Sequence, residues 1–199
     1  MVFGAVLLAA GRGSRYGAVK QDLVFHGKAL WRYAYEATLQ CVGRERLVVV
    51  GKDIPGGDTR TASVKAGLMS LPGDTERVVI VESARPMVTP RQIEQILLDE
   101  HPSCTFVRPL VNAVMYRDGR PLDRNLLYDI LTPQAFDFGM LLSAYESGLY
   151  DDMIDDTIVM DRHYGIRPHA IETGTNLYKV TYPSDLNVIE GIYSQIHQS

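Results

Sequence analysis

LLAAGRGSRYGAVKQD, Leu7 to Asp22, sets Gly11 and Gly13 among three cationic side chains, Arg12, Arg15 and Lys20. Backbone N–H groups exposed by a glycine-rich turn after a strand, with cations nearby, suit the oxygens of a polyphosphate. The stretch completes neither G-x-x-x-x-G-K-[ST] nor G-x-G-x-x-G, because Tyr16 stands where the last glycine would fall. Alone, it fits an ordinary strand-to-helix turn as well as a phosphate cradle.

Two further stretches carry groups of the same kind. In PGGDTRTASVKAGL, Pro55 to Leu68, Gly56 and Gly57 allow close backbone approach, and Asp58, Arg60 and Ser63 offer hydrogen-bonding groups for a base and ribose. The plainer alternative is that Asp58 or Thr59 caps a helix whose Arg60 and Lys65 are solvated. In ESARP, Glu82 to Pro86, a carboxylate follows an apolar run, where it would hold Mg²⁺ against phosphate oxygens or simply pair with Arg85. Asp151, Asp152, Asp155 and Asp156 resemble a metal cluster in composition, yet such a run more often forms a solvated loop or the acidic start of a helix. Ser63 and Ser83 lack the glycines of a nucleophile elbow. Cys41 and Cys104 have no metal-ligand spacing and the five histidines are scattered, so free buried thiols are expected and no zinc site or disulfide is.

These groups need a scaffold, and the apolar pattern supplies one. VFGAVLLAA (Val2 to Ala10), LVVV (Leu47 to Val50) and VVIV (Val78 to Val81) are short, continuous apolar runs that suit strands covered on both faces. Helical patterns at 28–39 and 59–71 lie between them. The alternation predicts a three-layer α/β/α sandwich with a mainly parallel sheet, in one domain over residues 1–199. Helix starts are expected at Thr89-Pro90, Thr132-Pro133 and Pro183-Ser184. The β-rich segment 105–123, with its Asp118-Gly119 turn signal, is expected to project as a hairpin arm. A net charge of −4 argues against a nucleic-acid partner. The absence of a membrane-length apolar run or a leader pattern points to a cytoplasmic protein with no membrane partner.

Taken together, LLAAGRGSRYG…KQ, GGDTRTASVKAGL, ESARP, DRNLLYDILTPQAF and YKVTYPSDL resemble, in order and spacing, the 2-C-methyl-D-erythritol 4-phosphate cytidylyltransferase family and its relative, the ribitol-5-phosphate cytidylyltransferases. The resemblance runs from about Val2 to Ile192. It implies a Rossmann-like nucleotidyltransferase fold, CTP as substrate, Mg²⁺, and a homodimer interlocked by the arm. It further implies that Ala9, Ala10, Gly11, Gly13, Arg15 and Lys20 meet the CTP phosphates, and that Gly57, Asp58, Arg60 and Ser63 read cytosine and ribose. Glu82, as metal ligand, Ser83 and Arg85 would lie beside the nucleotide. Arg124 would reach the polyol phosphate of a neighbouring subunit, and Lys179 would stabilise the reacting α-phosphate. The chain departs from the pattern at Glu82, where the family has Asp, at Asn112-Ala113 in place of Asp-Thr, at Ile154 and at Asn176. It also lacks roughly twenty residues before the Gly-Gly-Asp motif. These departures bear on the acceptor: methylerythritol phosphate is the first expectation, another alcohol phosphate or phosphonate the second, and a nucleotide-binding protein without catalysis the third.

Overall fold

The computed structural model describes residues 1–11 and 22–197. Its centre is a six-stranded sheet in the order β10-β6-β9-β5-β1-β4, built from β1 (Phe3–Leu8), β4 (Leu47–Val50), β5 (Arg77–Glu82), β6 (Ser103–Pro109), β9 (Tyr128–Asp137) and β10 (His169–Glu172). β1 pairs in parallel with β4 and β5, β10 pairs in parallel with β6, and only β9 runs against its neighbours. Successive side chains leave a strand on opposite faces, so a continuous apolar run feeds two cores. Ala5, Leu7, Val49, Val79 and Val81 pack with α1 (Leu30–Val42) and α3 (Pro90–Leu97). Val6, Val50, Val78 and Ile80 face α2 (Arg60–Met69), α4 (Phe138–Glu146) and α5 (Asp156–Tyr164). Gly67 lets α2 lie close on the sheet: a Cβ there would stand 2.4 Å from Val6 Cγ1. α6 (Asp185–His197) closes a smaller cluster with Phe25 of β2 (Val24–Phe25) and with Leu30, which follows β3 (Lys28–Ala29).

Thr89 caps α3 through a full capping box with Gln92, as Thr89-Pro90 implied. α6 begins at Asp185, just after Pro183-Ser184, and Asp185 accepts from the amides of Thr181 and Tyr182 at 2.7 and 2.8 Å. Thr132-Pro133 opens no helix. Both residues lie inside β9, joined by a cis peptide, where the β6–β9 register passes from Gln134 opposite Thr105 to Leu131 opposite Phe106. Proline has no N–H for a ladder and is accommodated at such an irregularity, and it biases the residue before it toward extended backbone. Residues 105–109 belong to β6. The hairpin itself is β7 (Val114–Met115) against β8 (Pro121–Leu122), turning at Asp118-Gly119 with Gly119 at φ 89°.

Candidate active site

The carboxyl ends of β1 and β5 lie side by side, Leu8 opposite Glu82, and Ser83 N–H donates to Leu8 O at 3.1 Å. Above them opens a cavity of about 380 Å³ lined by Leu8, Ala10, Gly11, Gly57 to Arg60, Ser63, Glu82 to Ala84 and Lys179. Open α/β sheets bind ligands at this edge.

One wall is the loop leading into α2. Ser63 Oγ accepts from Gly57 N–H at 3.1 Å and donates to Thr59 O at 3.0 Å, and Thr59 caps α2 by accepting from Ala62 N–H. Ser63 therefore holds the loop in shape with both functions of its hydroxyl. Gly57 is required by close approach, since a Cβ would meet Ala62 Cβ at 2.5 Å. Arg60, on the first turn, is not solvated. Its guanidinium makes a two-pronged contact with Asp156, Nη1 to Oδ1 at 2.9 Å and Nη2 to Oδ2 at 2.6 Å, with Nε 3.5 Å from Glu82 Oε1. Asp156 is fully buried and also accepts from the Tyr145 hydroxyl. Burial works against the Arg60 cation, but Asp156 and then Glu82 outweigh it and raise its pKa above the ordinary value.

The floor carries the second charge cluster. The Glu82 side chain is 14% exposed, and Oε2 stands 2.6 Å from Lys179 Nζ. Burial favours the neutral acid, yet Lys179, Arg60 and Arg85 overcome it and hold the carboxyl down at about 2. Arg85 points inward, donating from Nε to Thr132 Oγ1 at 3.0 Å and from Nη1 to Leu177 O, while burial lowers its pKa. It ties β5 to β9 and to the segment that delivers Lys179. A guanidinium is the group for such a post, because it stays charged when buried and offers donors in a fixed fork.

The structure thus gathers Ala10, Gly11, Gly57, Asp58, Arg60, Ser63, Glu82, Ser83 and Lys179 around one cavity. Ala9 is buried beneath it, its amide donating to Val50 O at 2.8 Å. Arg85 stands behind the floor, and Arg124 opens the short 3-10 turn Arg124–Leu126 just after the hairpin, its Nη1 donating to Val111 O, outside this lining. Gly13, Arg15 and Lys20 lie outside the described residues. Tyr145 carries no signal in the sequence, whereas Asp156 stands in the acidic run already noted and supports the site from behind rather than as part of a metal cluster. Asp151 and Asp152 are exposed, as an acidic run suggests, whereas Asp155 caps α5 and accepts from Gln134 Nε2, and Asp156 enters the core. The pKa of Asp155 is raised by burial and by Asp156, against the hydrogen bonds it accepts from Thr157 and Gln134. The two cysteines are free thiols, pushed up by burial to about 11 at Cys41 and about 12 at Cys104.

The family model described as IspD: 2-C-methyl-D-erythritol 4-phosphate cytidylyltransferase matches residues 3–195. The chain belongs to this family. A cytidylyltransferase of that name from Aquifex aeolicus is 30% identical over 96% of this chain and 97% of its own length. Its namesake from Haemophilus influenzae is 28% identical over 94% of each. Among solved structures, the bifunctional IspDF of Campylobacter jejuni superposes with a TM-score of 0.82 at 25% identity, covering 94% of this chain and 54% of that one. The Thermus thermophilus cytidylyltransferase, at 24% identity, shares the fold with a TM-score of 0.76 over 95% of this chain and 98% of that one. Membership makes the chain a nucleotidyltransferase with the family's Rossmann-like fold. Among the described residues, no helix is long and apolar enough to cross a membrane.

Proposed function

We propose that the protein transfers CMP from CTP to 2-C-methyl-D-erythritol 4-phosphate with release of pyrophosphate, serving isoprenoid biosynthesis in the cytoplasm as a single nucleotidyltransferase domain. The observation that carries this reading is the convergence of the α2 loop, Lys179 and Glu82 on one cavity at the carboxyl edge of the sheet, in a chain of this family. The α2 loop frames the base and ribose through Gly57 and Asp58, with Ser63 and the Arg60–Asp156 pair holding it. Ala10 and Gly11 open the triphosphate side, and the resemblance assigns its remaining contacts to Gly13, Arg15 and Lys20, outside the described residues.

An oxygen of the acceptor's phosphate monoester bonds to the α-phosphorus while the bridge to the β-phosphate breaks, and pyrophosphate leaves with the bonding electron pair. No protein nucleophile is needed, so the enzyme acts by positioning and by offsetting charge that grows in the transition state. Lys179 is the cation at the α-phosphate, and its pairing with Glu82 fixes where the ammonium waits. Glu82 also fits Mg²⁺: it is ionised at any working pH, stands at the strand end, and Mg²⁺ is commonly held by one or two carboxylates with phosphate oxygens and water. Bound there, the ion would neutralise phosphate charge. Glu82 would then share its carboxylate between metal and Lys179, a task for which the extra methylene over Asp gives reach. Arg124, which does not line its own chain's cavity, would meet the acceptor phosphate of a partner subunit in a homodimer.

Pyrophosphate release tests the reading, with CTP, Mg²⁺ and separate acceptors. Release with methylerythritol phosphate is expected; release with ribitol 5-phosphate alone, or CTP binding without release on any acceptor, overturns it.

A further inference from the structure

The histidines that look scattered in sequence include two that the fold brings together. Asp99, His101 and His169 place one ligand atom each within 4.8 Å of one another, the one group of three that could hold a metal among the described residues. His101 Nδ1 lies 2.9 Å from Asp99 Oδ1, His169 Nδ1 lies 2.7 Å from Asp99 Oδ2, and the rings stack at 4.1 Å. We propose that Asp99, His101 and His169 form a divalent transition-metal site, of the zinc type, remote from the nucleotide cavity.

Three observations support it. The first is spacing. Two imidazole nitrogens and a carboxylate oxygen are a donor set for Zn²⁺ or Ni²⁺, and bonds of about 2.0–2.2 Å at tetrahedral angles put ligand atoms roughly 3.3–3.6 Å apart. The separations of 2.9 and 2.7 Å run to different Asp99 oxygens, so whichever oxygen ligates has to draw back from its own imidazole by only a fraction of an ångström, and the three ligand atoms already lie within 4.8 Å of one another. The second is backbone anchoring. The buried Arg77 donates from Nη1 to His101 O at 2.9 Å, His101 N–H donates to Asp99 Oδ1 at 3.0 Å, and His169 begins β10 in register with Cys104 of β6. Both histidines are therefore carried by backbone fixed to the sheet, while their rings, 59% and 43% exposed, remain open to an ion from solvent. The third is location. β6 and β10 run parallel to β5, since β9 is antiparallel to both β5 and β6, so the starts of β6 and β10 lie at the sheet edge opposite Glu82. An ion there would touch no nucleotide. It would clip the short edge strand β10 to the turn after α3, tying chain positions 99 and 169 together.

The test is Zn²⁺ titration of metal-stripped protein in competition with a chromophoric chelator, comparing wild type with His169→Ala, Asp99→Asn and, as a control for the cavity, Glu82→Gln. One Zn²⁺ per chain is expected in wild type and in Glu82→Gln. Affinity should fall at least about tenfold in the two site variants, while their Mg²⁺-dependent pyrophosphate release stays at the wild-type rate. Saturating Zn²⁺ should raise the melting temperature of wild type and not of His169→Ala. Equal Zn²⁺ affinity in wild type and both site variants, or no saturable binding by wild type at micromolar Zn²⁺, overturns the proposal. Should His169→Ala fold poorly, Asp99→Asn and the ring-nitrogen NMR shifts of His101 and His169 on adding Zn²⁺ decide it, unmoved shifts being the refuting result.

Discussion

Replacing Asp156 by Asn asks whether the α2 loop is held from behind. Asp156 has no solvent exposure, meets Arg60 at 2.9 and 2.6 Å, and accepts from Tyr145. Asn keeps the volume and one acceptor oxygen but removes the charge, so Arg60 loses its main counter-charge where water can replace it only partly. Breaking a buried pair by removing one partner costs about 3–5 kcal/mol. Arg60 is still 22% exposed and keeps Glu82 at 3.5 Å, which lowers the expectation to about 2–4 kcal/mol. For a domain of this length, each kcal/mol shifts the melting temperature by roughly 2–4 °C, so a fall of about 4–16 °C is expected by calorimetry. Arg60 stands at the start of α2, so KM for CTP should rise about tenfold with a smaller effect on kcat. The double variant Arg60→Met/Asp156→Asn should be less destabilised than the sum of the two single changes, because the orphaned cation is gone. A melting temperature within about 2 °C of wild type, with unchanged KM for CTP, would refute the idea that this pair shapes the site.

Lys179→Ala should lower kcat by about 10²–10³ at saturating CTP while leaving the fold intact by circular dichroism, and a near wild-type rate would remove Lys179 from the chemistry. Glu82 has its carboxyl lowered from 4.5 to about 2, so its contribution to stability is complete above about pH 4.5 and is lost as pH falls toward 2. Urea unfolding across that window should show Glu82→Gln to be less acid-sensitive than wild type, by roughly 3 kcal/mol at most. Gly67→Ala places a methyl 2.4 Å from Val6 Cγ1 and should cost about 1–3 kcal/mol in denaturant unfolding with little change in KM. Gly57→Ala should do the opposite, raising KM for CTP about tenfold with a small loss of stability, because its Cβ meets Ala62 at the loop rather than in the core.

Much of this scaffold is legible in the sequence because apolar runs and capping residues act locally. LVVV forms a strand over the four residues that the pattern marks, and Thr89-Pro90 opens a helix by a capping box written in residues three apart. Thr132-Pro133 misleads because a threonine before proline suits both a helix start and an extended bulge, and pairing with β6 decides between them. Charged residues are harder still. Arg60 reads as solvated or ligand-binding and Arg85 as a partner of Glu82 or a neighbour of the nucleotide, yet one is clamped by Asp156 and the other braces Thr132 and Leu177. Asp156 is indistinguishable in sequence from the exposed Asp151 and Asp152; only the fold sends it inward toward an arginine nearly a hundred residues away. His101 and His169 meet for the same reason, across a strand pairing that no local pattern announces.

The most direct test of the central claim is a competition in one vessel: CTP and Mg²⁺ with equimolar 2-C-methyl-D-erythritol 4-phosphate and ribitol 5-phosphate, the products identified by mass spectrometry. The account predicts that the cytidine diphosphate derivative of methylerythritol accumulates in large excess, and that Lys179→Ala slows its formation by about 10²–10³. Predominant formation of the ribitol derivative, or no cytidine diphosphate product from either acceptor, would contradict it.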